Sequence, residues 1–296
     1  MNSRPYLFLC ILACVSVACQ APAAGFNHPQ PTPAIEDTAN ATVRFELYQD
    51  YLIVAHGSAG PLKGLNFFVD TGTSLPILDS RIARKLHLQN QASASIVILG
   101  GRAPGEEAML PSLGFGPVEL SNLQVVTADL SFFRKILPVR IDAIVGLDVL
   151  GEKAFVIDYS ARVIRFGALP ALPVSIPLRL DRGLASFDAE IDHAPVHLVF
   201  DTGTASLVLF VTAAQSGSSA KVDAIQEPDN IGDFARKAVR LGTVRLGDEE
   251  FHQRPAILVR NPKQSQLDFD GLMSPAALGI SRVSVDLKGG VLAFSR

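Results

Sequence analysis

One motif occurs twice in this chain and restricts the fold more than any other feature. Leu65-Asn66-Phe67-Phe68-Val69-Asp70-Thr71-Gly72-Thr73-Ser74 is matched by Val196-His197-Leu198-Val199-Phe200-Asp201-Thr202-Gly203-Thr204-Ala205, 201 − 70 = 131 residues later. In each copy a run of β-type residues ends on an aspartate and meets a small, turn-prone Thr-Gly-Thr. A strand that carries an acid to a buried end is unfavourable on its own. Building it twice predicts that the two acids meet.

The tail carries a second duplication. Asp142 to Gly167 lies over Asp270 to Ser295 without a gap, pairing Leu150 with Leu278, Gly151 with Gly279, Asp158 with Asp286 and Phe166 with Phe294, at a constant offset of 286 − 158 = 128. The second half is therefore shorter by 131 − 128 = 3 residues between its motif and its tail. Two lobes of one ancestry are the economical account.

The chain has 296 residues, room for two lobes of ordinary size. Hydrophobic residues make up 48% against 19% charged, which excludes global disorder. A net charge of −3 and the lack of any long Lys/Arg run argue against a nucleic-acid partner. Abundant Phe, Val, Ile and Leu punctuated by Gly favour β structure.

Residues 1–24 read as a signal peptide: Arg4 supplies the positive end, and Tyr6 to Ala18 form an apolar run too short to span a bilayer. Cys10, Cys14 and Cys19 all lie here, so the folded part carries no disulfide. Val15-Ser16-Val17-Ala18-Cys19 resembles a bacterial lipobox, with Cys19 the lipidation candidate; Ala21-Pro22-Ala23 would serve ordinary signal peptidase instead. Both routes predict export, to the periplasm or to the outer membrane through a lipid anchor, and Gln20 after the cysteine favours the latter. Residues 25–41 hold Pro29, Pro31 and Pro33 without periodicity and read as a flexible tether.

From Thr42 onward the alternation predicts strands at Thr42–Tyr48, Tyr51–Gly57 and up to Asp70, then at Leu75–Leu78, with a short helix over Ser80–Leu88. Ser95-Ile96-Val97-Ile98-Leu99-Gly100-Gly101-Arg102 reads as a hairpin with a glycine tip. Pro170 and Pro173 mark a joint. The expected division is a first lobe over 42–167, a linker over 168–175 and a second lobe over 176–296.

With these residues in view, the chain resembles the aspartic proteases, the group containing pepsins and retropepsins. The resemblance rests on one hydrophobic-hydrophobic-Asp-Thr-Gly-Thr per lobe, on Ile144-Val145-Gly146 and the run Gly146-Leu147-Asp148-Val149-Leu150, and on the closing strand pair of each lobe. It implies an all-β, bilobal acid-protease fold of duplicated β-barrel lobes with a cleft between them. It also implies an exported endopeptidase that acts as a monomer on peptides or unfolded protein and needs no cofactor or metal. Asp70 and Asp201 would be catalytic: one, kept protonated by the other's charge, would bind the scissile carbonyl while its partner takes a proton from water. Thr71 and Thr202 would cross-link the two loops. Gly72 and Gly203 would admit close backbone approach. Thr73 and Thr204 would bond the outer carboxylate oxygens. Leu99, Gly100 and Gly101 would form the tip of a covering flap, here without a tyrosine.

Two departures stand out. Leu272-Met273-Ser274 puts Ser274 where the first lobe has Gly146, and residues 216–233 show no clear second hairpin. They leave a second reading open, a catalytically silent peptide- or envelope-binding protein on the same fold. A third is an enzyme that cuts only itself or one partner. His193 and His197 have a four-residue spacing, but Pro195 and the β-type run after it oppose a helix, so no metal site is expected.

Overall fold

The computed structural model describes residues 14–15, 42–98, 101–211, 223–224, 229–231, 234–260 and 269–296. The expected signal peptide and tether, with Cys19, lie outside these residues apart from Cys14–Val15, a two-residue strand beside Ile96 and Val97. Strands dominate, as the alternation predicts: Val43 and Phe45 of Thr42–Tyr48 point inward while Thr42, Arg44 and Glu46 face solvent. The helix expected over Ser80–Leu88 is shorter, Ser80–Lys85, capped by the Asp79 carboxylate on the Arg81 N–H at 3.0 Å. Residues Leu147–Leu150, which carry no helical period, form a single helical turn.

Both lobes repeat one strand pattern. Leu62–Val69, which leads to Asp70, runs parallel to Ala143–Val145 with Phe68 opposite Ile144; Ala194–Phe200, which leads to Asp201, runs parallel to Gly271–Met273 with Val199 opposite Leu272. Ile77 pairs with both Val126 and Ile144, and Val208 with both Ile257 and Leu272. The offset is still 257 − 126 = 131 at this pair and becomes 271 − 143 = 128 at the next strand, so the missing three residues fall in that connection. Even the polar staples repeat. Asp142 accepts from the Asn66 N–H at 2.9 Å, and Asp270 from the His197 N–H at 2.8 Å.

The lobes meet in an antiparallel sheet to which each contributes. Its order is Thr42–Tyr48, Val163–Phe166, Phe155–Asp158, Arg282–Asp286, Val291–Ser295, Val174–Pro177. Pairing begins at Val174, inside the expected linker, because Val174 meets Phe294 in register. At the junction Asp158 is buried and accepts from Arg282 Nε at 2.9 Å and from the Ala161 N–H at 2.8 Å. Burial pulls its carboxyl upward, but these two partners outweigh burial and hold it below the ordinary aspartate range.

Each lobe also carries an apolar layer on the face that Phe68 and Val199 share with the two aspartates. In the first it holds Leu52, Phe68, Ile77, Ile96, Val126, Phe133 and Ile144; in the second, Leu184, Val199, Val208, Ile257 and Leu272. Ala205 and Ala276 of the second lobe pack against the first lobe's layer, which places it at the seam. The architecture is all-β, with two lobes built on one repeated strand pattern.

Candidate active site

Each aspartate is fixed by its strand before its side chain does anything. The Asp70 N–H donates to Val145 O at 2.9 Å, and the Asp201 N–H to Met273 O at 3.0 Å. Each carboxylate then folds back on its own turn: Asp70 Oδ1 accepts from the Gly72 N–H at 2.9 Å, and Asp201 Oδ1 from the Gly203 N–H at 2.7 Å.

The turns are locked across the seam by a reciprocal set of four hydrogen bonds. The Thr71 hydroxyl donates to Phe200 O at 3.0 Å and accepts from the Thr202 N–H at 3.0 Å. The Thr202 hydroxyl donates to Val69 O at 3.0 Å and accepts from the Thr71 N–H at 3.1 Å. All of these bonds are buried, so each is worth more than its solvent-exposed equivalent and is costly to lose.

This grip brings Gly72 against the Asp201 carboxyl and Gly203 against that of Asp70. A Cβ on Gly72 would stand 2.7 Å from Asp201 Cγ, and one on Gly203 2.4 Å from Asp70 Cγ. Only glycine fits either place. The two aspartates have no accessible surface, and each carboxyl lies against the glycine that follows the other. Two neighbouring carboxyls without solvent resist carrying two charges at once. Burial first, then the Asp201 charge, raise Asp70 well above the ordinary range, although the Gly72 N–H pulls the other way.

Thr73 and Thr204 do not match the role expected of them. The Thr73 hydroxyl donates to Leu75 O at 2.9 Å and that of Thr204 to Ser206 O at 3.4 Å. A hydroxyl has one proton, and here each ties its turn to the chain just beyond it rather than to a carboxylate. Gly146 sits where a Cβ would lie 2.5 Å from Thr73 O and 2.9 Å from Asp70 O. Ser274 occupies the corresponding place with a different backbone, φ −93° and ψ 133° against −120° and −149°; its Oγ is buried without a partner among the described residues.

Asp148, in the Leu147–Leu150 turn, accepts from the Gly146 N–H at 3.1 Å. Burial pushes its carboxyl up to about 7, against the backbone N–H groups of Gly146, Asp148 and Val149 that favour the charged form. The signal was an acid two residues past the glycine, matched by Ala276 in the other lobe. The hairpin with the glycine tip is longer than its pattern suggested: Asn90–Ile98 pairs with Gly101–Phe115. Gly101 opens the return arm, while Leu99 and Gly100 lie outside the described residues. His197 stands on the second lobe with Nδ1 2.8 Å from Asp188, and no group of side chains among the described residues could hold a metal.

With this geometry in hand, known proteins were compared. No curated protein matches the chain. The crystal structure of Basic 7S globulin from soybean is similar over 86% of this chain and 94% of its own, with 13% identity and a TM-score of 0.48. Residues 58–149, from the second strand of the first lobe through the Gly146 turn, match the model of the aspartyl protease family.

Proposed function

We propose that this chain is an aspartic endopeptidase that hydrolyses peptide bonds with a water molecule held between Asp70 and Asp201. The observation that carries the reading is the reciprocal grip, which holds two buried carboxyls from different lobes side by side, each against the other's glycine. Like charges at that separation resist double ionisation, so the pair keeps one proton near its working pH. The ionised member takes a proton from water as its oxygen attacks the carbonyl carbon. The protonated member donates to the carbonyl oxygen and stabilises the oxyanion. Collapse breaks the C–N bond, a proton passes to the departing amine, and the pair returns to one shared proton. The two aspartates titrate as a unit and exchange these roles.

Both carboxyls are closed to solvent, so entry of water and substrate requires the surface over the pair to open. The substrate class is an extended peptide or unfolded protein. Export, with or without a lipid on Cys19, belongs to the same proposal.

Ser274 favours a second reading, a peptide-binding protein that does not turn over. Its side chain stands behind the Asp201 loop where the first lobe tolerates no Cβ. Replacing Asp70 or Asp201 by Asn and assaying unfolded casein from acid to neutral pH decides between them. The proposal expects cleavage by the unaltered chain and none by either variant. Cleavage surviving both substitutions refutes the assignment. Tight binding of a peptide-like transition-state mimic without turnover supports the silent protein.

A further inference from the structure

We propose that Glu107, with Met109 beside it, forms a recognition site for a lysine or arginine side chain of a bound peptide. The proposal deepens the reading above by naming one feature of the substrate.

Glu107 lies on the return arm of the long hairpin. Its strand pairing sets it opposite Val126 on one side and Ala92 on the other, with Ala94 opposite Gly105 and Ile96 opposite Ala103 further along the arm. Val126, Ala94 and Ile96 belong to the first lobe's seam-side apolar layer. Residues directly opposite in a sheet share a face, so the Glu107 carboxylate belongs to that layer too. It is 8% exposed. Its Oε2 accepts from Gln124 Nε2 at 3.1 Å, and its Oε1 is buried with no partner among the described residues. A carboxylate taken out of water with one oxygen unmatched is a standing penalty unless a donor arrives.

The fold does not require it. The second lobe builds the same strand pair with Ala238 opposite Ile257, at 238 − 107 = 131 and 257 − 126 = 131. An acid present in one copy only, on an apolar face at the seam, points to a ligand rather than to the scaffold.

The surroundings specify the ligand. The next positions on this face are Met109 and Gln124, which face each other across the strands; Met109 is 39% exposed and Gln124 is open to solvent. Met109 is thus the exposed apolar residue two positions from Glu107 on the same face. A long alkyl stem ending in a cation fits that arrangement: the stem packs on methionine and the head makes a charge-assisted hydrogen bond.

The test is selection of random decapeptides on the Asp70→Asn chain, with and without Glu107→Gln or Met109→Ser. Peptides held by the Glu107 form should show Lys and Arg enriched about tenfold at one position, falling below about threefold in E107Q and weakening in M109S. No basic enrichment, or enrichment that survives E107Q, overturns the proposal. If E107Q does not fold, the same decision falls to M109S, a change at an exposed position. Digestion of the same peptides by the chain with both aspartates intact separates the two readings. Lysine-selective binding without cleavage removes the peptidase and keeps this site. Cleavage without basic preference does the reverse.

Discussion

Replacing Thr71 by Val tests the grip on which the site depends. Valine keeps the shape of threonine and removes its hydroxyl. That hydroxyl satisfies two buried groups, the Thr202 N–H and the Phe200 carbonyl, each at 3.0 Å. Leaving a buried backbone group unmatched costs about 1–3 kcal/mol, so two cost roughly 2–6. The added methyl offsets about 0.8 kcal/mol of this through apolar burial. A net loss of about 1–5 kcal/mol is expected, against a typical total stability of about 5–15. Thr71→Ser retains the hydroxyl and should lose about 1 kcal/mol or less, the methyl alone. The chain has no tryptophan, so far-UV circular dichroism in guanidinium is the suitable unfolding assay. Thr202→Val orphans a different pair, the Thr71 N–H and the Val69 carbonyl. Because each hydroxyl accepts from the other threonine's N–H, the double variant should depart from the sum of the singles by about 0.5 kcal/mol or more. A loss under about 1 kcal/mol for Thr71→Val, or equal losses for Val and Ser, would refute the argument from unmatched buried groups.

Three further outcomes follow from other contacts. Gly203→Ala drives a methyl to 2.4 Å from Asp70 Cγ, and peptidase activity should fall by about 10² or more while circular dichroism still reports a β fold. Asp148 binds a proton more tightly folded, with a pKa of about 7, than unfolded, near 3.8; stability from this group is full below about pH 4 and lost as pH rises to 7. Asp148→Asn should remove that decline, up to about 4 kcal/mol between pH 4 and pH 8, in urea melts at the two pH values. Arg282→Met leaves the buried Asp158 carboxylate without its main cation and should destabilise by roughly 3 kcal/mol, whereas pairing it with Asp158→Asn should recover part of the loss.

Much of this was legible in the residues because duplication makes a sequence its own comparison. The paired Asp-Thr-Gly turns and the constant offset of the two tails showed a duplication, which the structure carries into mirrored strand pairs such as Phe68 with Ile144 and Val199 with Leu272. What stayed hidden was tertiary. Asp158 and Arg282 are 124 residues apart, and nothing local marks them as partners. Pro104 and Pro111 argue against a long strand, yet Gly101–Phe115 runs through both. The Thr73 and Thr204 hydroxyls donate to carbonyls two residues on, and spacing in the sequence does not choose between such a carbonyl and a carboxylate. Glu107 follows another acid on a strand, and only the register shows that it turns toward an apolar layer.

The shared sheet between the lobes makes each half an unfinished object. Without residues 174–296, the strand Phe155–Asp158 would lose Arg282–Asp286 and present a bare edge, with Asp158 keeping only the more distant Arg165 at 3.6 Å. The cheapest remedy for a bare edge is another copy of the same edge, so an isolated first lobe should pair with itself. Cutting the chain between Ala168 and Pro173 should then turn an intramolecular fit into a dilution-sensitive one, with two fragments that find each other at high concentration and part at low.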